Sequence, residues 1–419
     1  MIANFRKIYY EFPRQFWIVV AVSFIDRVGG TMLFPFFSLY ITQRFNVGMT
    51  QAGLVLGLFS IFGLIGGMIG GGLTDRFGRR RLILFGLVFS AISTLSLGLV
   101  DEFRLLFPLA VLVGLLSDVA GPAHQAMIAD LLPEDKRQEG FGILRVVANM
   151  SWIIGPTIGG FVANRSYFAL FVTDALVSCF VAVLFYLLIA ETKPKLKEGE
   201  EHETMLATFA GYFKVFRDKP FVGFILASIL MGVVYIQMYN SLSVYLRDQH
   251  GVSPQGYGFI LTTSAITVIL FQFWTTRIIK VRPPFLMMAL GSLVYTIGFG
   301  MYGFVSAYTL FVFAMVIITI GEMIVVPTAS TLAANFAPEA MRGRYMAIFS
   351  LSWALPATVG PVAAGYILDN FDPNLLWYVG GALCIVAAGG FYLLHLRLGG
   401  REIFAPAPRE VAAVPVASE

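Results

Sequence analysis

The sequence predicts an all-α membrane protein with twelve transmembrane helices in two six-helix bundles. Three observations carry that expectation: composition, the length of the apolar runs, and an internal repeat. Hydrophobic residues make up 58% of the 419 and charged residues only 13%, with a mean hydropathy of +0.78. Soluble domains lie nearer about 45–50% apolar and about 25% charged. A spanning helix needs about 20 mostly apolar residues. Twelve such runs can be marked, at 16–41, 51–73, 82–100, 105–129, 141–162, 168–190, 220–246, 256–278, 284–305, 308–332, 344–368 and 375–396.

The repeat has a single offset of 205 residues. Pro122 aligns with Pro327, Ala129 with Ala334, Pro133-Glu134 with Pro338-Glu339, and Arg137 with Arg342. Gly155-Pro156 and Gly160 align with Gly360-Pro361 and Gly365; Ser38 and Tyr40 align with Ser243 and Tyr245. Six helices are thus followed by six related ones. The expected units are a bundle over 1–190, a polar linker over 191–219, a second bundle over 220–398, and a tail over 399–419 of disordered composition. Within the linker, 205–217 reads as a surface amphipathic helix.

The first span is longer than a signal peptide's apolar core and carries charges at its middle, so it reads as helix 1 and not as a cleaved leader. Cys179 and Cys384 fall inside spans of opposite halves and read as packing residues. With the N-terminus in the cytoplasm, 23 of the 29 basic residues fall on inside segments, which is the positive-inside signature. Both termini are therefore expected in the cytoplasm of a multi-pass cell-membrane protein. The net charge of +4 then reflects topology and gives no reason to expect a nucleic-acid partner. Neither a phosphate loop nor a metal-spaced His/Cys cluster nor a nucleophile–base arrangement emerges. No enzyme activity and no cofactor are expected, with a proton gradient as the energy source.

Between spans 2 and 3 stands GGLTDRFGRRR, with five charges in the seven residues from Asp75 to Arg81. Gly71 and Gly78 are expected to allow close backbone approach in a short turn. Asp75 is placed to pair with Arg76 or Arg79, or to cap a helix N-terminus. The stretch resembles the major facilitator superfamily signature G-x-L-a-D-R-x-G-R-R, carried here by Gly71, Leu73, Asp75, Arg76, Gly78, Arg79 and Arg80. The resemblance spans about residues 10–398. It implies two parallel-related bundles with a substrate site between them at the midplane, and a rocking-type alternating-access cycle. It also implies that this loop latches the bundles on the cytoplasmic side in the outward-facing state, with Asp130 as the acidic partner of its arginines. The second half keeps Arg277 but has Asn335 in the place of Asp130, so a latch on one side only is expected.

A charge held in lipid costs about 2.5–3.5 kcal/mol at the helix centre. Asp26, Arg27, Asp118 and Glu322 lie near mid-depth, Arg145 in the cytoplasmic third of span 5, and Asp174 in the outer third of span 6. The net charge within the spans is −2. Glu322 is the foremost candidate for proton coupling, since burial disfavours its charged form and its repeat counterpart is Ser117. The Gly321-Glu322 pair ahead of Pro327 also resembles proton-coupled members of the superfamily. Asp26, followed by Val28-Gly29-Gly30 and Pro35, resembles helix 1 of the drug/proton antiporter branch with twelve helices. Asp26 and Arg27 project about 100° apart and are expected to reach different neighbours. Asp118 is the third carboxyl candidate, and Arg145 is expected to balance an acid such as Asp118. Asp174 is expected to form an outer gate or to snorkel to the interface.

Gly155-Pro156-Thr157-Ile158-Gly159-Gly160 resembles the antiporter signature of span 5, with Ser151 where its first glycine is expected. Small residues there permit close helix packing, and the proline permits a bend. In span 4, Gly114 matches the family's second motif, whereas Ala110 replaces its arginine; Arg145 or Arg27 would have to substitute in the proton relay. The expected substrate cavity combines Tyr235, Gln237, Tyr239 and Asn240 with His124, Gln125, Asn149, Trp152 and Trp353. Such a lining suits lipophilic cations through ion pairing and cation–π contact. The resulting expectation is a monomeric, proton-coupled exporter of lipophilic cationic compounds, with small molecules, protons and membrane lipid as partners. A proton symporter for a sugar or peptide, or a lipid flippase, is the alternative. A non-transporting sensor on the same fold is more remote, given the short linker and tail.

Overall fold

In a computed structural model the described residues are 10–192, 214–338 and 341–401, apart from the side chains of Asp75, Glu134, Asp135 and Gln138. Most of the amphipathic segment expected over 205–217, and the tail from 402, lie outside the described residues. Twelve helices are long and apolar enough to cross a membrane. They are α1 (Arg14–Arg44), α2 (Met49–Phe77), α3 (Arg79–Leu99), α4 (Phe103–Leu131), α5 (Glu134–Ala163), α6 (Tyr167–Leu188), α7 (Lys219–Asn240), α8 (Pro254–Ile279), α9 (Pro284–Met301), α10 (Tyr308–Phe336), α11 (Arg342–Asn370) and α12 (Leu375–Leu398).

Local chemistry sets where these helices start and break. Pro35 lacks a backbone N–H, and α1 tightens to a 3-10 turn over Phe34–Phe36 before resuming at Phe37. A second 3-10 turn, Asp118–Ala120, interrupts α4 ahead of Pro122. Ser253 caps the start of α8, its hydroxyl accepting from Gly256 N–H at 3.1 Å, with Pro254 at the first helical position.

The 205-residue repeat is visible as repeated bonds. Tyr40 donates to Leu97 O at 3.1 Å in the first half, and its counterpart Tyr245 donates to Tyr302 O at 2.8 Å in the second. Counterparts also meet each other where the halves join. The hydroxyls of Ser38 and Ser243 lie 3.2 Å apart, and Arg247 Nη1 donates to Thr42 Oγ1 at 3.0 Å.

The halves touch chiefly through α2 against α11 and α5 against α8. Glycines make these contacts possible. A Cβ at Gly57 would lie 2.6 Å from Thr358 O, and one at Gly258 would lie 2.6 Å from Pro156 O. Thr157 and Thr262 share a hydroxyl–hydroxyl bond of 2.5 Å. At the start of α2 the first N–H groups have no intrahelical acceptor. The Asp369 carboxylate of α11 supplies one, accepting from Met49 N–H at 2.8 Å, Thr50 N–H at 2.7 Å and Thr50 Oγ1 at 2.6 Å. Among the described residues, the hydrogen bonds and ring contacts between the halves run from mid-depth to this end. The opposite end, carrying Gly71–Arg81, is called the basic end below.

Candidate functional site

Glu322 lies on α10, held close to α9 by the missing side chain of Gly321, where a Cβ would stand 2.8 Å from the Tyr295 ring. Five residues on, Pro327 supplies no N–H to the carbonyl of Met323. Gln272 of α8 takes that place, its Nε2 donating to Met323 O at 3.3 Å. Glu322 itself accepts from the Tyr235 hydroxyl of α7 at 2.9 Å, and Tyr235 and Tyr239 hydroxyls lie 3.2 Å apart. These groups line a cavity of about 290 Å³ whose α5 wall carries Arg145, Asn149 and Trp152. The Trp152 and Tyr239 rings stand 4.8 Å apart and pack against each other, so a contacting aromatic pair forms part of the cavity lining. Gln272 escaped the sequence reading. Pro327, which frees the Met323 carbonyl, was its only signal, and that does not name a partner on another helix.

A second cavity, of about 630 Å³, lies within the first half and is lined by Asp26, Arg27, Asp118, His124, Gln125 and Arg145 among others. Arg145 thus stands on both cavities. Asp26 and Arg27 both line this second cavity, Asp26 half-buried and Arg27 exposed, and they form no salt bridge with each other. Arg145 and Asp118 line the same space but form no salt bridge, so the expected charge balance by direct contact is not made. Arg27 forms none either among the described residues. His124 also packs near the Phe185 ring at 6.4 Å.

Asp174 departs from expectation. It is 5% exposed, accepts from Thr94 Oγ1 at 2.9 Å, and fits against the missing side chain of Gly29. It therefore neither snorkels nor faces an outer gate; it is packed between α1, α3 and α6. The acids on the two cavities are Asp26, Asp118 and Glu322 and the bases Arg27 and Arg145, so the lining carries −1 where the spans as a whole carry −2.

The predicted substrate residues divide among several places. Tyr235, Tyr239, Asn149 and Trp152 share the Glu322 cavity, and His124 and Gln125 the other. Gln237 is 3% exposed and spent internally, donating to Val233 O at 2.8 Å and accepting from Ser241 Oγ at 2.7 Å. Trp353 sits edge-on to Tyr235 at 5.7 Å, on a minor space of about 20 Å³ behind it. Asn240 faces a third, apolar chamber between the halves.

At the basic end, Arg79 Nε pairs with Asp130 Oδ2 at 3.0 Å, and Thr192 Oγ1 donates to the same oxygen at 3.3 Å. Glu191, unforeseen from the sequence, accepts from the N–H groups of Arg79 and Arg80 at 2.9 and 3.2 Å, and so caps α3. Arg80 donates to Tyr186 O at 2.6 Å, Arg76 lies over the Phe77 ring, and Leu73 packs on the first-half core. Gly78 has φ +89°, a conformation that favours glycine, and a Cβ there would meet the Glu191 carboxylate at 2.6 Å. Gly71 is different: a Cβ would meet nothing within 4 Å, so close approach is not its role. The Asp75 side chain lies outside the described residues. Nearby, the Glu139 and Glu11 carboxylates raise the pKa of the Lys136 ammonium by accepting its protons in hydrogen bonds.

The span 5 glycines form a three-helix junction. Gly155 and Gly159 fit against Thr31 and Met32 of α1, while a Cβ at Gly160 would stand 3.1 Å from Gln255 Cα of α8. Thr31 Oγ1 reinforces it by donating to Ser151 O at 2.9 Å, and Pro156 lies at the crossing with Gly258.

A family model described as Major Facilitator Superfamily matches residues 19–361 and, overlapping, 243–417. The chain is 27% identical over 411 residues to a Na(+), Li(+), K(+)/H(+) antiporter of Planococcus maritimus, covering 92% of this chain and 94% of that protein. It is 24% identical over 366 residues to Multidrug resistance protein MdtH of Shigella flexneri, covering 85% and 88%. Among solved structures, a POT family transporter in complex with 5-aminolevulinic acid superposes with a TM-score of 0.79 at 17% identity, covering 92% and 96%.

Proposed function

The chain belongs to the Major Facilitator Superfamily of secondary transporters, and on that premise we propose that it exports lipophilic cations in exchange for protons. The observation that carries this reading is the half-buried Glu322, hydrogen-bonded by Tyr235 in a mid-depth cavity that the contacting rings of Trp152 and Tyr239 also line. A carboxylate in such a site attracts a cation, and the rings add cation–π attraction worth about 2 kcal/mol when desolvated. A proton on Glu322 removes the anion and so competes with the cation. Exchange follows when the cavity alternates between the two sides of the membrane.

The basic end is assigned to the cytoplasm on the distribution of arginine and lysine. The closure of the opposite end by Asp369, Thr157–Thr262 and the α2–α11 glycines then corresponds to an inward-open state. The Gly71–Arg80 loop with Asp130 would act as the latch of the opposite, outward-open state. Asp26 and Asp118 provide a second station for protons, reached from Glu322 by way of Arg145. The resemblance to proteins described as a cation/H(+) antiporter and a multidrug resistance protein supports the same reading.

A second reading, proton symport of a zwitterionic solute, is favoured by one feature. Arg145 and Glu322 stand on different walls of one cavity without a salt bridge, and so could hold an anionic and a cationic group. Ethidium flux in proteoliposomes under an imposed pH gradient separates the two. Gradient-driven ethidium movement, lost in Glu322→Gln, is expected for cation/proton exchange. Ethidium that stays still in vesicles of folded wild-type protein, while a dipeptide moves, would reject it in favour of symport.

A further inference from the structure

Outward of the Glu322 cavity lies a separate chamber of about 250 Å³, built from both halves. Its walls are Leu33, Phe34 and Phe37 of α1, Leu56 and Phe59 of α2, and Ile236 of α7. Such a space exceeds the roughly 150 Å³ that accepts a benzene ring in an apolar protein interior. Its volume suits a fused or substituted aromatic ring or a folded alkyl chain.

Two polar groups interrupt this lining, and neither is hydrogen-bonded to a described residue. Asn240 is 4% exposed, yet its amide makes no hydrogen bond to any described residue, and the same holds for the Ser60 hydroxyl. Both groups open onto the chamber, so a ligand group offering a donor or acceptor there has a partner to meet. The chamber and the Glu322 cavity share a wall. Phe34 lines the chamber and stands 6.3 Å from both Trp152 and Tyr239, which line the cavity. On the same turn of α1, Gly30 leaves open space: a Cβ there would meet nothing within 4 Å.

We propose that this chamber is a second binding subsite, taking the apolar portion of an amphiphilic cation whose charged group occupies the Glu322 cavity, with Asn240 hydrogen-bonding a polar substituent on that portion. The subsite rests on the cation-exchange reading above and adds a substrate shape to it. Because α1 and α2 supply one side and α7 and Ala357 of α11 the other, an occupant binds both halves at once. It is therefore sensed when the halves rock.

The test keeps the head group constant and varies the tail. Tetramethylammonium, hexyltrimethylammonium, decyltrimethylammonium and a decyltrimethylammonium whose tail ends in a hydroxyl are titrated calorimetrically into the full chain in lipid nanodiscs, with empty nanodiscs subtracted. In the wild type, decyl should bind at least about tenfold more tightly than hexyl, as buried methylenes add up. Gly30→Leu, which fills the chamber, should cut that ratio to less than about threefold. Asn240→Leu should keep the ratio and abolish any preference for a tail ending in a hydroxyl, and it serves if Gly30→Leu does not fold. Cations that bind with the same chain-length ratio in the wild type and Gly30→Leu, or an unaltered hydroxyl preference in Asn240→Leu, would overturn the subsite and leave cation exchange standing. No binding by any member of the series would overturn both.

Discussion

Pro327 and Gln272 form a matched pair, one residue withholding a donor and the other, on a different helix, replacing it. A buried carbonyl left without a partner costs about 1–3 kcal/mol. Gln272→Leu should therefore lower the thermal unfolding midpoint of the purified protein. Pro327→Ala restores the intrahelical N–H, and in that background Gln272→Leu should cost far less. The double-mutant cycle should show a coupling of about 1 kcal/mol or more. Additive effects would mean that Met323 finds another donor. Glu322 was legible as a lone carboxyl in an apolar run, and Tyr235 as a candidate cavity residue of α7, but their hydrogen bond was not. It depends on α7 and α10 presenting those faces to each other across 87 residues of chain.

The start of α2 and the start of α8 are repeat counterparts that solve the same problem differently. Helix α8 carries its own Ser253 cap, whereas α2 begins after Gly48 and borrows the Asp369 carboxylate from α11. The borrowed cap joins the two halves. Losing an N-cap costs about 0.5–2 kcal/mol, and here that cost falls on the closed end, the outer one on the reading proposed above. Asp369→Ala is expected to raise the outward-open population by about tenfold, since 1.4 kcal/mol is one decade in an equilibrium. Spin-label distances between the exposed positions Gln43 and Gln249 would report it as growth of a longer component. An unchanged distance distribution would show that the cap carries no share of the closure.

For the whole molecule, the Asp369 cap joins the two halves at one end, whereas at the other Arg79 and Asp130 pair within the first half, α3 to α4, and on the reading proposed here hold the basic loop ready to engage the second half in the outward-open state. Asp130→Asn should enrich the inward-open state, visible in the same spin-label experiment as loss of any longer component. Combined with Asp369→Ala, it should return the distribution toward wild type. The two sites share no partners, so their effects should add. A double variant no different from Asp369→Ala alone would remove Asp130 from the latch.

Hydropathy is a property of each residue summed over about 20 positions, so the number and placement of the twelve spans were determined by the sequence before any packing was known. The repeat was equally legible, because it compares residues with residues. The structure realises it in the paired Tyr40 and Tyr245 bonds. What the sequence could not decide was which polar residues share a wall. Successive side chains turn by about 100°, so Gln237, Tyr239 and Asn240, neighbours in the chain, end in three different surroundings: an internal hydrogen bond, the Glu322 cavity and the apolar chamber. Those rotations are set by glycine contacts such as Gly360 on Gln237 and Gly29 on Asp174. Each is made between helices distant in sequence, where only the tertiary fold supplies the partner.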